Sequence, residues 1–342
     1  MNRLLLLGML LVTALFNCFA SSQQNISDSD GEQIIRKASI LLREHEDRDI
    51  EYEGPYFGQE PPGLEPELLA PGLVSIEGFW DYAGVFSPDG MEFYFSRSKT
   101  GEDDTILVTR MQDGKWTEPL RVEFAGEHYT HEPCFSPDGS KLFFGSARPL
   151  PDGRTFSSSR EGYKIWVVER EGAGWGEPYL LGSEVEDSFL MYVSVSGSGN
   201  LYVGTQGDIV VIRPDKSGYS APERIGPPFS DSRGRTGHPC IAPDESFMLL
   251  DSDRAGTLGE LDIFVSFRLH NGAWSEPVSL GPAVNTPGSD NCPRLTPDGK
   301  FFLYSSERGE REKSDIYWIS TEIIRKTRQT LEADSHLQPQ RE

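Results

Sequence analysis

One short element recurs five times along this chain and limits what it can fold into. It reads Val85-Phe86-Ser87-Pro88-Asp89-Gly90, followed by the largely apolar run Met91 to Phe95. It returns as Cys134-Phe135-Ser136-Pro137-Asp138-Gly139 before Ser140 to Phe144, and as Arg294-Leu295-Thr296-Pro297-Asp298-Gly299 before Lys300 to Tyr304. Two copies are degenerate. One is Ser194-Val195-Ser196-Gly197-Ser198-Gly199, the other Cys240-Ile241-Ala242-Pro243-Asp244-Glu245. The turn positions 88, 137, 197, 243 and 297 lie 49, 60, 46 and 54 residues apart. Self-similarity at such a period marks a repeat fold whose units bury their faces against one another.

The turn has its own logic. Ser first, Pro second and Gly fourth are favoured in a type I turn, where Pro pre-sets φ and Gly accepts positive φ. The strand after it is apolar on consecutive residues, as in Leu142-Phe143-Phe144 and Phe301-Phe302-Leu303, which predicts cover on both faces. A third strand is predicted at Thr105–Thr109, Ile165–Val168, Ile209–Ile212, Ile263–Ser266 and Ile316–Ile319. A fourth is predicted to begin at Trp116-Thr117-Glu118-Pro119, Trp175-Gly176-Glu177-Pro178, Tyr219-Ser220-Ala221-Pro222 and Trp274-Ser275-Glu276-Pro277. Four strands per unit make a propeller blade.

The fifth unit lacks a fourth strand, because Glu322 to Ala333 reads as a helix. Glu65-Pro66-Glu67-Leu68-Leu69 resembles the missing piece, so an N-terminal strand is expected to close the ring. The prediction is an all-β chain: a single propeller of five four-stranded blades, with short flanking helices. A sixth blade would need some forty unassigned residues, and the longest interval holds only an insertion near 149–160.

The first residues read as a secretory leader, with Arg3, an apolar run from Leu4 to Phe16, and Ala20 before a plausible cleavage point. Asn17 stands where a lipidation signal has Gly or Ala, so Cys18 reads as leader rather than lipid anchor. The expected organisation is a leader at 1–20 and a polar segment with a short helix (Gln33 to Glu46) and a Pro/Gly linker at 21–63. The propeller follows at 64–320 and a helix with tail at 321–342. Localisation is expected to be periplasmic or secreted, with no transmembrane segment in the mature chain. Acidic residues outnumber basic ones by 54 to 32, which disfavours nucleic acid and anionic bilayers as partners.

The five turns and their strands resemble the TolB-type propeller, a WD-repeat-like family marked by repeated Pro-Asp turns. The resemblance spans about residues 64–320; copy three lacks Pro and Asp, and Glu245 replaces the usual Gly. It implies either a partner of cell-envelope proteins or the non-catalytic cap of a prolyl-oligopeptidase-like enzyme. The second context requires a hydrolase domain, and no Gly-x-Ser-x-Gly element is present. Six-bladed members of the family carry a further small domain that this chain does not show.

A propeller uses the mouth of its axial channel. Repeat alignment puts Asp81-Tyr82, His131-Glu132, Met191-Tyr192, Gly237-His238 and Asp290-Asn291 there, with Arg294 slightly further in. The candidate ligand-binding residues are Tyr82, His131, Glu132, Tyr192, His238, Asp290 and Arg294. They could bind a peptide end, a sugar or a metal ion, or satisfy one another around water. No catalytic residue, cofactor or metal site is assigned. His128, His131 and Glu132 have metal-like spacing on a helix, but in a strand residues three apart face opposite ways. Asp28-Ser29-Asp30-Gly31 begins like a calcium loop and lacks the remaining ligands. Cys134, Cys240 and Cys292 permit at most one internal disulfide and read as small apolar strand residues. Arg97/Asp104, Arg254/Asp262 and Arg308/Asp315 recur at matching positions and read as structural ion pairs.

The expected function is binding or scaffolding of a protein, peptide or glycan of the cell envelope at the propeller mouth. The rival is a polysaccharide or peptide hydrolase or lyase using rim histidines and carboxylates.

Overall fold

The computed structural model describes residues 51–155, 163–182, 190–205, 207–216, 218–229, 234–309 and 313–337. The expected leader, Cys18, the Gln33–Glu46 helix and the calcium-like Asp28–Gly31 lie outside the described residues. The unit from Glu51 onward is a five-bladed propeller of antiparallel sheets.

The innermost strands of blades one to five are Trp80–Phe86, Thr130–Phe135, Met191–Val195, Thr236–Ile241 and Asp290–Leu295. The second strands are Glu92–Ser98, Lys141–Ser146, Leu201–Gly204, Phe247–Ser252 and Phe301–Ser306. Alternate residues of one strand serve two interfaces, which explains the consecutive apolar positions. Phe143 packs with Leu201 and Val203 of blade three, whereas Leu142 and Phe144 pack with Tyr94 and Ile106 of blade one. Each of the five clusters between blades is thus shared by two neighbours, and no blade buries its faces alone.

The ring closes as the repeat count predicts. Glu67–Leu68 pairs with the third strand of blade five, Asp315–Ser320, in the register Glu67↔Trp318 and Leu68↔Tyr317. Leu69 continues this contact, donating its N–H to the Ile316 carbonyl at 2.9 Å with its side chain fully buried. The segment expected as linker contributes to the same core: Tyr52 and Phe57 are buried with Phe86, Phe93 and Trp318. The C-terminal helix, Glu322–Leu337, packs Ile324 against blades four and five.

Two expectations are corrected. The outer strands do not start at the aromatic residues. Trp116, Trp175 and Tyr219 sit in two-residue hairpin arms, and the fourth strands proper follow the proline at Leu120–Arg121, Tyr179–Leu180, Glu223–Arg224 and Val278–Ser279. Proline has no N–H for the ladder and interrupts it at that point. Arg97 pairs with Asp81 at 2.6 Å, while Asp104 accepts the hydroxyls of Tyr82 and Tyr129, each at 2.7 Å.

The turns behave as their residues dictate. Ser87 Oγ donates to Asp89 Oδ1 at 2.6 Å, Met91 N–H reaches the same oxygen at 3.0 Å, and Gly90 takes a φ of 71°. The unusual copy is compensated. Glu245 holds the left-handed position at φ 58°, and its carboxylate accepts from Ser198, Asn200 and Tyr202 of blade three.

Two measurements test this account. Hydrogen bonds from Ser136 and from Ser140 hold the Asp138 carboxyl down to about 2, below its ordinary 3.8. Its stabilisation is therefore present above the unfolded value and lost as pH falls through the folded one. Asp138→Asn should lower the unfolding free energy at neutral pH, and the difference should vanish below about pH 2. A difference independent of pH would refute it. Leu69→Ala should cost about 2–5 kcal/mol in urea unfolding, as expected for a buried large-to-small change. Truncating the exposed Leu120 should stay within about 0.5 kcal/mol.

Candidate functional site

Each innermost strand carries one residue in the left-handed region at a break in register: Ala83 (φ 51°), Glu132 (56°), Tyr192 (52°), His238 (37°) and Cys292 (54°). Such a bulge inserts an extra residue and re-aims its side chain. Non-glycine residues in this region cost of order 1–3 kcal/mol each and persist only where the surrounding structure holds them. Three of the five precede proline (Glu132-Pro133, His238-Pro239, Cys292-Pro293), which disfavours the right-handed helical conformation.

The bulges of blades two, four and five converge. Glu132, His238 and Cys292 each offer a ligand atom, and these atoms lie within 4.8 Å of one another. Glu132 Oε1 is 3.5 Å from His238 Nε2 and 3.6 Å from His131 Nδ1. The other oxygen, Oε2, accepts the Tyr163 hydroxyl at 2.5 Å and the Tyr192 N–H at 3.0 Å. Since Tyr163 has one proton to give, its 2.9 Å contact with His131 Nδ1 assigns the imidazole proton to that nitrogen. On the far side of His238, Nδ1 meets Asp251 Oδ2 at 2.5 Å, and Cys292 N–H donates to the same oxygen at 3.1 Å. Gly145 makes room, because a Cβ there would lie 2.7 Å from the Tyr163 hydroxyl and 2.8 Å from His131 Nε2.

The electrostatics follow. Burial opposes the charge on Glu132, but the imidazoles of His131 and His238 outweigh it and hold the carboxyl well below the usual range. Burial likewise opposes a charged His238, and the Asp251 carboxylate overrides it, raising the imidazole well above its ordinary value. Burial pushes the Cys292 thiol up to about 11, with His238 pulling the other way. Cys292, His238 and Asp251 stand in the order of a thiol nucleophile, its base and an orienting acid. Yet this thiol is 4 % exposed and stays protonated at neutral pH, whereas a reactive cysteine needs its thiolate and access.

Tyr192 divides the axis. It comes from blade three, is fully buried, and donates its hydroxyl across the channel to the Pro293 carbonyl of blade five at 2.6 Å. Its ring meets His238 edge-on at 5.0 Å, and the Arg294 guanidinium lies over it at 4.2 Å. Arg294 is 5 % exposed. Its Nη1 donates to the Val193 carbonyl at 2.8 Å and approaches Cys134 Sγ at 3.3 Å. Its Nε and Nη2 are buried and have no acceptor among the described residues. Arg294 lines a cavity of about 340 Å³ at the turn end of the axis, with Phe86, Phe135, Ile241, Leu295 and a proline from four of the turns.

The structure thus brings together Glu132, His131 and His238 around the polar cluster, and it puts Tyr192 and Arg294 next along the axis. Tyr82 is half-buried against Tyr192 with its hydroxyl on Asp104. Asp290 does not join them. It is fully buried and accepts from Thr286 N, Thr286 Oγ1 and the Ser306 hydroxyl, bracing the loop into blade five. Sequence reasoning missed Cys292 and Asp251. Aligning Pro133, Pro239 and Pro293 would have put Cys292 level with Glu132 and His238, in place of Asn291. Asp251 lies on a second strand, where no repeat signal singled it out. All three described cysteines are free and buried.

No family model matches the chain, and no curated protein matches it. Among solved structures it is similar to the putative TolB of Agrobacterium tumefaciens (18% identity, 72% of this chain and 78% of that one, TM-score 0.46). It is also similar to TolB of Acinetobacter baumannii (14%, 72% and 52%, TM-score 0.44). A third is a GH43 endo-arabinanase of Bacillus licheniformis (10%, 72% and 95%, TM-score 0.43).

Proposed function

We propose that this propeller is a binding module that receives the carboxyl terminus of a peptide or protein in the turn-end cavity, with Arg294 taking the carboxylate. The observation that carries this reading is the buried guanidinium of a cavity-lining residue, whose Nε and Nη2 have no acceptor among the described residues. An unpaired buried charge is costly, and a planar guanidinium suits a carboxylate in a two-pronged contact. The lining favours a peptide over a sugar. Its hydroxyls are engaged within the protein, Ser136 on Asp138, Thr296 on Asp298 and Ser194 accepting the Ile241 N–H. What remains is apolar surface and one cation, fitting an aliphatic or aromatic last residue rather than a ring of hydroxyls. The apolar run from Leu4 to Phe16 supports a location outside the cytoplasm, where envelope proteins would be the partners; no helix of the described residues is long and apolar enough to cross a membrane.

Short peptides with a hydrophobic last residue should bind when the carboxyl is free and not when it is amidated, as read by calorimetry. Arg294→Met should weaken binding by at least about tenfold, given about 1.5–3 kcal/mol for a charge-assisted hydrogen bond. The same variant should unfold at the native temperature or above it, because it removes a buried unpaired cation. Equal affinity for free and amidated peptides would overturn the reading.

One observation favours a hydrolase or lyase instead: Glu132 sits ionised between His131 and His238. On that reading the opposite end of the axis admits the substrate. Turnover of a cell-wall glycan or peptide, abolished by Glu132→Gln with the fold retained, would establish it; no turnover across such a panel would remove it.

A further inference from the structure

Glu132, His238 and Cys292 come from three different blades, and each occupies the strained bulge position of its strand. Their ligand atoms lie within 4.8 Å of one another, and the carboxylate–imidazole edge measures 3.5 Å. Zinc-type bond lengths of about 2.0–2.3 Å set tetrahedral edges of roughly 3.3–3.6 Å. We propose that these three side chains bind a divalent transition-metal ion of the zinc class on the propeller axis, at a site independent of the Arg294 cavity.

The supporting groups match what such a site requires. Asp251 engages His238 Nδ1, which turns Nε2 toward the centre; a carboxylate behind a ligating imidazole fixes its tautomer and raises its basicity. Tyr163 and the Tyr192 N–H hold Glu132 Oε2, leaving Oε1 for the ion. Carboxylate and thiolate together neutralise a dication. Imidazole and thiolate donors select zinc, cobalt or copper over calcium and magnesium, which prefer oxygen cages. Binding releases two protons to solvent, one from His238 Nε2 and one from the Cys292 thiol, and forms the nitrogen–metal and sulfur–metal bonds without any oxidant or reductant. Three protein ligands leave a fourth position, the arrangement of an open site rather than a closed structural one. His238 is the most accessible of the three side chains, at 14 % exposure against 5 % for Glu132.

The test uses the full chain, stripped with a chelator and titrated with Co(II). One equivalent should develop visible bands of tetrahedral cobalt and a near-ultraviolet thiolate-to-cobalt charge-transfer band, both displaced by Zn(II). A Cys18→Ser, Cys134→Ser, Cys240→Ser chain keeps Cys292 as its sole thiol and should retain that band. Cys292→Ser should lose it, and Asp251→Asn should weaken binding by about 10–100-fold through His238. If Cys292→Ser fails to fold, the triple variant decides alone. Absence of the charge-transfer band in the triple variant, or its persistence in a folded Cys292→Ser chain, would overturn the proposal.

Discussion

The whole axis depends on the left-handed bulge that every innermost strand carries. An unbroken strand alternates its side chains between its two faces, and here both faces are taken up by neighbouring blades. The extra residue breaks that alternation and turns one side chain per blade onto the axis. Five blades therefore deliver Ala83, Glu132, Tyr192, His238 and Cys292 to one level of the channel. The backbone strain is carried by the ladders and shared cores on either side. Proline after the bulge in three blades removes a donor that the broken ladder could not use.

What arrives at that level is asymmetric although the fold is repetitive. Alanine in blade one leaves room, tyrosine in blade three fills the centre, and the remaining three supply an acid, a base and a thiol. Tyr192 then separates two chemically different spaces. On one side lies a nearly closed network in which Glu132 and Asp251 are paired through His131, His238 and Tyr163. On the other lies an apolar cavity with one buried guanidinium. The Tyr192 ring touches both, edge-on to His238 and face-on to Arg294.

The propeller was legible because its signals are local. A Ser-Pro-Asp-Gly turn specifies its own hydrogen bonds within five residues, and consecutive apolar residues report two-sided burial. The site was legible in part. His131, Glu132, Tyr192, His238 and Arg294 could be aligned by eye to the axis, since each follows a fixed offset from a turn. Asp290 and Cys292 show where that alignment slips. Cys292 lies five residues before Pro297, the same offset as Ala83, Glu132, Tyr192 and His238 from their turn positions, so reading Tyr82 and Asn291 at the mouth is one residue off the axial position. Asp251 was invisible for a different reason, since its partner His238 meets it only across a β-ladder. The pairing of Arg97 with Asp81 rather than Asp104 has the same cause.

By itself the sequence determined the repeat, the blade number, the strand order within a blade and the use of an N-terminal strand to close the ring. These follow from turn chemistry and from the pattern of apolar residues, which act over a few positions along the chain. Only the tertiary structure decided which side chains share the axis. Residues from blades two, four and five, far apart in sequence, meet there because ring closure fixes the angle between blades and the bulge fixes the direction of each side chain. Neither quantity is written in any single segment.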